Sequence, residues 1–341
     1  MSASTGTPES VLRRLEWTVL RRLDGVLHGD YRTLIRGHGL DFADLREYVY
    51  HDDVRHIDWN VTARLQTPYV REYNEEREVA AWFLLDLSPS VEFGSTQLKR
   101  SVATEFVAVL ARILTRHGNR VGAVLYGDRV DTVIPARSGR RHVMHLMHRM
   151  LTRPALARSE VTDLRVLLQT AYRVAPRRSL MFVISDFIST PGWSEPLAHL
   201  AQRHDVVAVR LYDPLETHLP DLGLLVIQDA ETGEQLFVDT HDGSFRRRFA
   251  QAAEKREAEL RAAFRAAGVD ALELATDDDL VDAILRFADL RKRRSQLATG
   301  GGLPRHLQAS VDAGANKPAP EVDGNRTSRA LRRWSLGVSR P

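Results

Sequence analysis

The stretch Val79-Ala80-Ala81-Trp82-Phe83-Leu84-Leu85-Asp86-Leu87-Ser88-Pro89-Ser90 decides the fold. Its first seven residues form the longest uninterrupted apolar run in the chain. That is far short of the ~20 residues that span a bilayer, and it lacks the alternation of a strand with one wet face. A strand buried on both faces fits, as found where helices cover both sides of a parallel sheet. The residues that follow put one carboxylate and two hydroxyls at the strand's carboxyl end, where open α/β sheets bind their ligands.

Similar apolar runs recur at residues 121–125, 180–184, 206–211 and 269–274, each bounded by polar residues. Between them lie helical periods, one marked by Leu98, Val102, Phe106, Leu110 and Ile113, another by Phe245, Phe249, Ala253, Leu260 and Phe264 with Gly268 placed to cap it. The repetition predicts an α/β fold with a doubly wound, mostly parallel sheet. Leu224–Gln228 and Gln235–Asp239 flank Glu231-Thr232-Gly233-Glu234 and read as an inserted hairpin. Thr276 with Asp277, Asp278 and Asp279 reads as the start of the last helix.

Toward the amino terminus, Leu12, Leu15, Val19, Leu23 and Val26 predict an amphipathic helix over residues 11–27. Residues 31–79 lack that period and hold short Tyr/Val-rich pieces at 47–50 and 68–73, which predicts a small strand-rich section. From Leu297 onward, Gly300-Gly301-Gly302, Pro304, Pro318 and Pro320 predict disorder. Within that tail, Leu331, Trp334 and Leu336 stand among Arg329, Arg332 and Arg333, a basic peptide able to dock on a partner or an anionic surface. The expected divisions are an N-terminal helix (1–30), the strand-rich section (31–79), the α/β domain (80–290) and a basic tail (291–341).

With 341 residues, 43% of them apolar, the chain has room for about two folded units. It contains no Cys, which excludes disulfide scaffolds, thiolate zinc sites and cysteine nucleophiles. The formal charge of +3 resides in the tail, because residues 297–341 hold seven Arg/Lys against three Asp/Glu, a balance of +4 that leaves −1 elsewhere. A basic nucleic-acid-binding body is therefore not expected. No segment has the length and apolarity of a membrane span or signal peptide, so the chain reads as cytoplasmic.

Asp86, Ser88 and Ser90 at the end of the first strand suit Mg²⁺ or Mn²⁺, which take hard oxygen donors. Taken alone they read equally well as helix N-caps. The 180–184 strand also ends in an acid, at Ser185-Asp186-Phe187, on the same edge of a doubly wound sheet, and Thr162-Asp163-Leu164 opens the helix before it. The set resembles the metal-ion-dependent adhesion site of von Willebrand factor A domains, Asp-x-Ser-x-Ser followed by a Thr and an Asp. The resemblance assigns Asp86, Ser88, Ser90, Thr162 and Asp186 as metal ligands. It departs from the pattern at Phe187, where better-known members carry Gly.

Further motifs lie ahead of the sheet: Gly37-His38-Gly39-Leu40-Asp41-Phe42, Arg46-Glu47-Tyr48, Asp52-Asp53-Val54-Arg55-His56-Ile57-Asp58-Trp59, Ala63-Arg64 and Val70-Arg71-Glu72. They are similar to the signature of the family called domain of unknown function 58, with His51 where its members have Gly, and the resemblance covers about residues 31–290. It implies a cytoplasmic protein with no established catalytic activity, partnered with MoxR-type AAA+ ATPases. The adhesion-site resemblance implies a cation held largely by neutral hydroxyls, which accepts an Asp or Glu from a protein partner as its final ligand.

The enzymatic alternative is a metal-dependent phosphohydrolase using Asp86. Such enzymes typically carry a second acid two residues on, and here that residue is Ser88. No nucleophile elbow, Gly-rich phosphate loop or His-Glu-x-x-His motif occurs. His142, His145 and His148, spaced three apart, read as packed and solvent-facing positions of one helix in preference to a metal site. Asp52, Asp53, Arg55, Asp58, Arg64 and Arg71 alternate in sign and read as an ion-pair network, not as a nuclease site or an RNA-binding patch.

Overall fold

The computed structural model describes residues 7–23, 45–49, 57, 59–71, 80–156, 162–298 and 337–338. The elements ahead of the main sheet are α1 (Pro8–Leu15), β1 (Leu45–Glu47), α2 (Trp59–Leu65) and β2 (Tyr69–Arg71). Then come β3 (Ala80–Asp86), α3 (Lys99–Arg116), β4 (Arg120–Tyr126), β5 (Val130–Arg137), α4 (Arg140–Thr152) and α5 (Leu164–Val174). They are followed by β6 (Leu180–Ser185), α6 (Ser194–Arg203), β7 (Asp205–Tyr212), β8 (Leu224–Gln228) and β9 (Gln235–Asp239). The last are α7 (Gly243–Ala266), β10 (Asp270–Ala275), α8 (Leu280–Ala298) and β11 (Gly337–Val338).

Six strands form the main sheet in the order β10-β7-β6-β3-β4-β5. Counted along the chain this is 6-5-4-1-2-3, a doubly wound order whose direction reverses between β3 and β6. All neighbours are parallel except β4 and β5. The unbroken apolar run of β3 follows from its two buried faces. Phe83 and Leu85 pack into one core with Phe106, Phe182 and Phe287, while Trp82 and Leu84 pack into the other with Leu167, Leu197 and Phe264. Phe83 and Phe182 stack across the β3–β6 pair with ring centroids 5.3 Å apart.

Five predicted strands lie within one residue of their observed limits, and the hairpin strands β8 and β9 coincide with theirs. β5 was not expected from the sequence. It is an antiparallel edge strand, exposed at every second residue, with exposed Pro135 and register shifts against β4. An edge strand needs no continuous apolar run and tolerates Pro. α1 continues as a π-turn over Glu16–Leu20 and helically to residue 23; the remainder of the predicted 11–27 helix lies outside the described residues.

The described part of the 31–79 section contains the antiparallel pair β1–β2 and the helix α2, which the strand-rich reading did not anticipate. Asp52, Asp53, Arg55 and Asp58 of the expected network lie outside the described residues. α8 runs to Ala298, past the 290 boundary. The predicted tail beyond it is outside the described residues apart from β11, which pairs antiparallel with β8. No described helix is long and apolar enough to cross a membrane.

His204, which ends α6, is buried and neither ring nitrogen has a hydrogen-bond partner among the described residues. Burial, aided by Arg203 and Arg178, lowers its pKa from 6.5 to about 4. The unfolded chain therefore binds a proton that the folded chain refuses, so stability is lost as pH falls from about 6.5 toward 4. Urea unfolding at pH 7 and pH 4.5 is expected to differ by about 2–3 kcal/mol more in the wild type than in His204→Leu.

Candidate functional site

Asp86 is the last residue of β3 and Asp186 follows the last residue of β6, so both stand at the carboxyl edge where the sheet reverses direction. Crevices at this point bind ligands because the connections from adjacent strands depart to opposite faces. Here the crevice is filled by side chains of the protein itself: Asp86, Ser88, Ser90, Thr162 and Asp186 are each at most 2% exposed.

Asp86 Oδ1 accepts from the Ser88 amide at 3.0 Å, and Oδ2 accepts from Ser185 Oγ at 2.6 Å. Pro89 starts a short 3₁₀ turn that holds the Ser88 and Ser90 hydroxyls 3.1 Å apart. The Ser90 side chain in turn helps to hold the Asp186 pKa down. Asp186 Oδ1 accepts from the Ile188 amide at 3.0 Å. Asp86, Ser88 and Ser90 thus form one hydrogen-bonded chain, and Asp186 acts on Asp86 through its charge across the switch point.

Thr162 reaches this network indirectly. Its hydroxyl donates to Glu231 Oε1 at 2.6 Å, and its amide lies 3.3 Å from the same oxygen. Glu231 comes from the turn between β8 and β9, and its carboxyl feels the Asp186 charge. The Thr162 carbonyl is tied to the loop after β6 by the Thr190 amide and Ser189 Oγ. Asp163 caps α5 through the Arg165 amide.

The sequence reading missed Lys99. This fully buried ammonium, at the first turn of α3, donates to Asp186 Oδ2 at 2.8 Å and Glu216 Oε1 at 2.7 Å. Burial works against its charge, but Asp186 and Glu216 outweigh burial and hold Lys99 above its ordinary pKa. The rarity of Lys was no signal, since another of the chain's four, Lys255, is exposed on α7. Ser185 and Glu216 were also missed; the only local mark on Glu216 is its capping box with Asp213, which gives no hint of Lys99.

Phe187 takes the left-handed conformation, φ 57°. That is the geometry a Gly adopts without strain, so the departure from the adhesion-site pattern preserves the backbone shape of the loop. Its ring turns into the core against Trp193 and Phe264, at centroid separations of 5.3 and 4.8 Å. The bulk at this position therefore packs away from the carboxylates.

Two observations test whether a divalent cation fits these residues. Neighbouring ligands of an octahedral ion with bonds of ~2.0–2.1 Å stand ~3 Å apart, and the Ser88 and Ser90 hydroxyl oxygens are 3.1 Å apart. The Lys99 ammonium pairs with Asp186 and Glu216, and the buried Asp86, which feels the Asp186 charge, adds a third carboxylate, so the cluster carries an excess of two negative charges. The strain of that excess falls on Asp86, whose pKa is pushed up to about 6 by burial and then by Asp186. A hard divalent ion matches both the oxygen donors and the missing charge. Among the described residues no group of three or more His, Cys, Asp or Glu is arranged to hold a metal ion, so the hydroxyls are indispensable to any such site.

The histidines of α4 are not joined to this network. His142 Nε2 bonds the Val121 carbonyl at 2.8 Å, and burial lowers its pKa. His145 and His148 line a separate cleft of about 550 Å³ beside Glu9 and Arg141.

The family described as Protein of unknown function DUF58 matches residues 44–259. An uncharacterized protein of Mycobacterium tuberculosis is 38% identical over 287 residues, which cover 83% of this chain and 90% of that protein. A shorter uncharacterized protein of Mycobacterium avium is 37% identical over 162 residues, 48% of this chain and 95% of its own. Among solved structures, the conserved hypothetical protein BatB from Bacteroides thetaiotaomicron is similar at 14% identity and a TM-score of 0.41, covering 63% of this chain and 99% of its own. The Rpn10 VWA domain is similar at 14% identity and a TM-score of 0.34, covering 61% of this chain and 94% of its own.

Proposed function

The chain belongs to the family Protein of unknown function DUF58, and on that footing we propose that it is a non-enzymatic, divalent-metal-assisted protein-binding module. Asp86, Ser88, Ser90, Thr162 and Asp186 would hold Mg²⁺ or Mn²⁺, which when bound supplies a Lewis-acidic position for an Asp or Glu of the partner. A MoxR-type AAA+ ATPase or its client is the partner the family resemblance implies. The observation that carries this reading is the buried excess of two negative charges at the switch point, beside two hydroxyls set 3.1 Å apart.

The protein's own residues divide the work. Lys99 keeps Asp186 ionised and well below its usual pKa, outweighing the burial that opposes the charge. Ser185 and the Ser88 amide orient the two Asp86 oxygens. Phosphohydrolysis on Asp86 has less support, because Ser88 stands two residues on, where such enzymes carry a second acid.

Asp86→Asn keeps the shape and removes one charge. It is expected to weaken Mn²⁺ binding at least ~10-fold by calorimetry while leaving the circular dichroism spectrum unchanged. Capture of a MoxR-type AAA+ ATPase is expected to be lost in Asp86→Asn, in Thr162→Ala and in the wild type with EDTA. Capture that is indifferent to all three would sink the proposal.

A further inference from the structure

We infer that Glu231 is an internal ligand of this site: the β8–β9 hairpin delivers to Thr162 a carboxylate that an incoming acidic partner must displace. The inference rests on the metal-assisted reading above and assigns that site its regulation. The site asks its partner for a carboxylate, and a carboxylate of the same chain already stands at Thr162, accepting from its hydroxyl at 2.6 Å and facing its amide at 3.3 Å.

The turn that carries Glu231 is built to aim it. Asp229 Oδ1 accepts from the amides of Glu231 and Thr232 at 2.8 and 3.0 Å, and Gly233, at φ 75°, closes the turn onto the Asp229 carbonyl. An exposed, merely solvated acid needs no such frame, and its neighbour Glu234 on the same turn points into solvent. Glu231 is only partly buried, whereas the five residues beneath it are sealed, so it forms the cover of the site and not its floor.

The hairpin is also mechanically separate. It sits on its own small core of Phe93, Leu219, Ile227 and Val238, distinct from the two cores that flank the main sheet. The hairpin's core has four buried apolar residues among the described residues, far fewer than either core of the main sheet, as expected of a low-stability unit. Glu231 is tethered beside Thr162 by two contacts, so it outcompetes a free carboxylate such as acetate, while a partner that docks through further contacts can displace it.

The test uses the full chain, Mn²⁺ as the metal and acetate as the external carboxylate, with Glu231→Gln, Glu231→Ala and Glu234→Gln compared with the wild type. Mn²⁺ affinity is read by calorimetry, and acetate binding by its effect on the Mn²⁺ electron paramagnetic resonance spectrum. Both Glu231 variants are expected to bind Mn²⁺ about tenfold more weakly, through loss of one anionic ligand. In Glu231→Ala, acetate is expected to recover most of that loss and to change the spectrum; in the wild type and Glu234→Gln it should do neither. Glu231→Gln retains an acceptor for Thr162, which guards against a folding artefact. Equal or tighter Mn²⁺ binding in the Glu231 variants, or the same acetate response in all four proteins, overturns the internal ligand and leaves the metal site standing. Absence of Mn²⁺ binding from the wild type and both Glu231 variants removes the metal site and the internal ligand together.

Discussion

Lys99→Met is expected to lower the unfolding free energy by about 3–5 kcal/mol, measured by urea denaturation at neutral pH. The substitution takes from Asp186 Oδ2 and Glu216 Oε1 the only cation hydrogen-bonded to them among the described residues, while leaving both carboxylates buried. Such a loss exceeds that of most core truncations because the partners cannot recover their hydration without opening the fold. Lys99→Arg is not expected to rescue it, since the slot is fully buried and a guanidinium is planar and bulkier than an ammonium. On the metal-assisted reading the variant carries three uncompensated negative charges where the wild type has two. Millimolar Mg²⁺ should therefore return more stability to Lys99→Met than it adds to the wild type. A variant whose unfolding midpoint matches the wild type would mean that the Lys99, Asp186 and Glu216 cluster contributes nothing.

Phe187→Ala is expected to cost about 3–5 kcal/mol, the usual range for a buried Phe. Its ring touches both Trp193 and Phe264, so the truncation opens the aromatic cluster that joins the post-β6 loop to α7. Phe187→Gly removes still more of the side chain, yet it is expected to be more stable than Phe187→Ala by about 1 kcal/mol, because Gly relieves the left-handed backbone that Ala would keep under strain. The order of the two variants checks the backbone argument separately from the packing argument. If Ala proves the more stable, the φ of 57° is not what this position selects for. Mn²⁺ affinity should change little in either variant if the loop holds its shape, since the ring lies away from the carboxylates.

These two residues belong to different layers of the same design. Lys99 balances charge within the switch point, and Phe187 anchors the loop that carries Asp186 to the helical layer behind it. Neither would be found by looking for metal ligands. The resemblance to the adhesion-site pattern names Asp86, Ser88, Ser90, Thr162 and Asp186, and the fold brings Asp86, Ser88 and Ser90 into one hydrogen-bonded chain within electrostatic reach of Asp186. The Thr162 hydroxyl instead meets Glu231, a residue about seventy positions further along, and the Thr162 carbonyl meets the loop after β6. The histidines of α4, spaced as if to share a metal, do ordinary packing and surface work.

What could be read directly from the chain was whatever a strand or helix imposes on its own residues. Burial on both faces forces an unbroken apolar run, so β3, β4, β6, β7 and β10 were legible within a residue or so, and the acids ending β3 and β6 were legible with them. β5 escaped because an exposed edge strand imposes no such run. Lys99 meeting Asp186 and Glu216, Ser185 meeting Asp86, and Glu231 meeting Thr162 were decided only in three dimensions. Those contacts join residues 69 to 117 positions apart, and no local propensity constrains a partner at that distance. The order of the strands sets which loop ends face one another, and so which charges must be balanced where they meet.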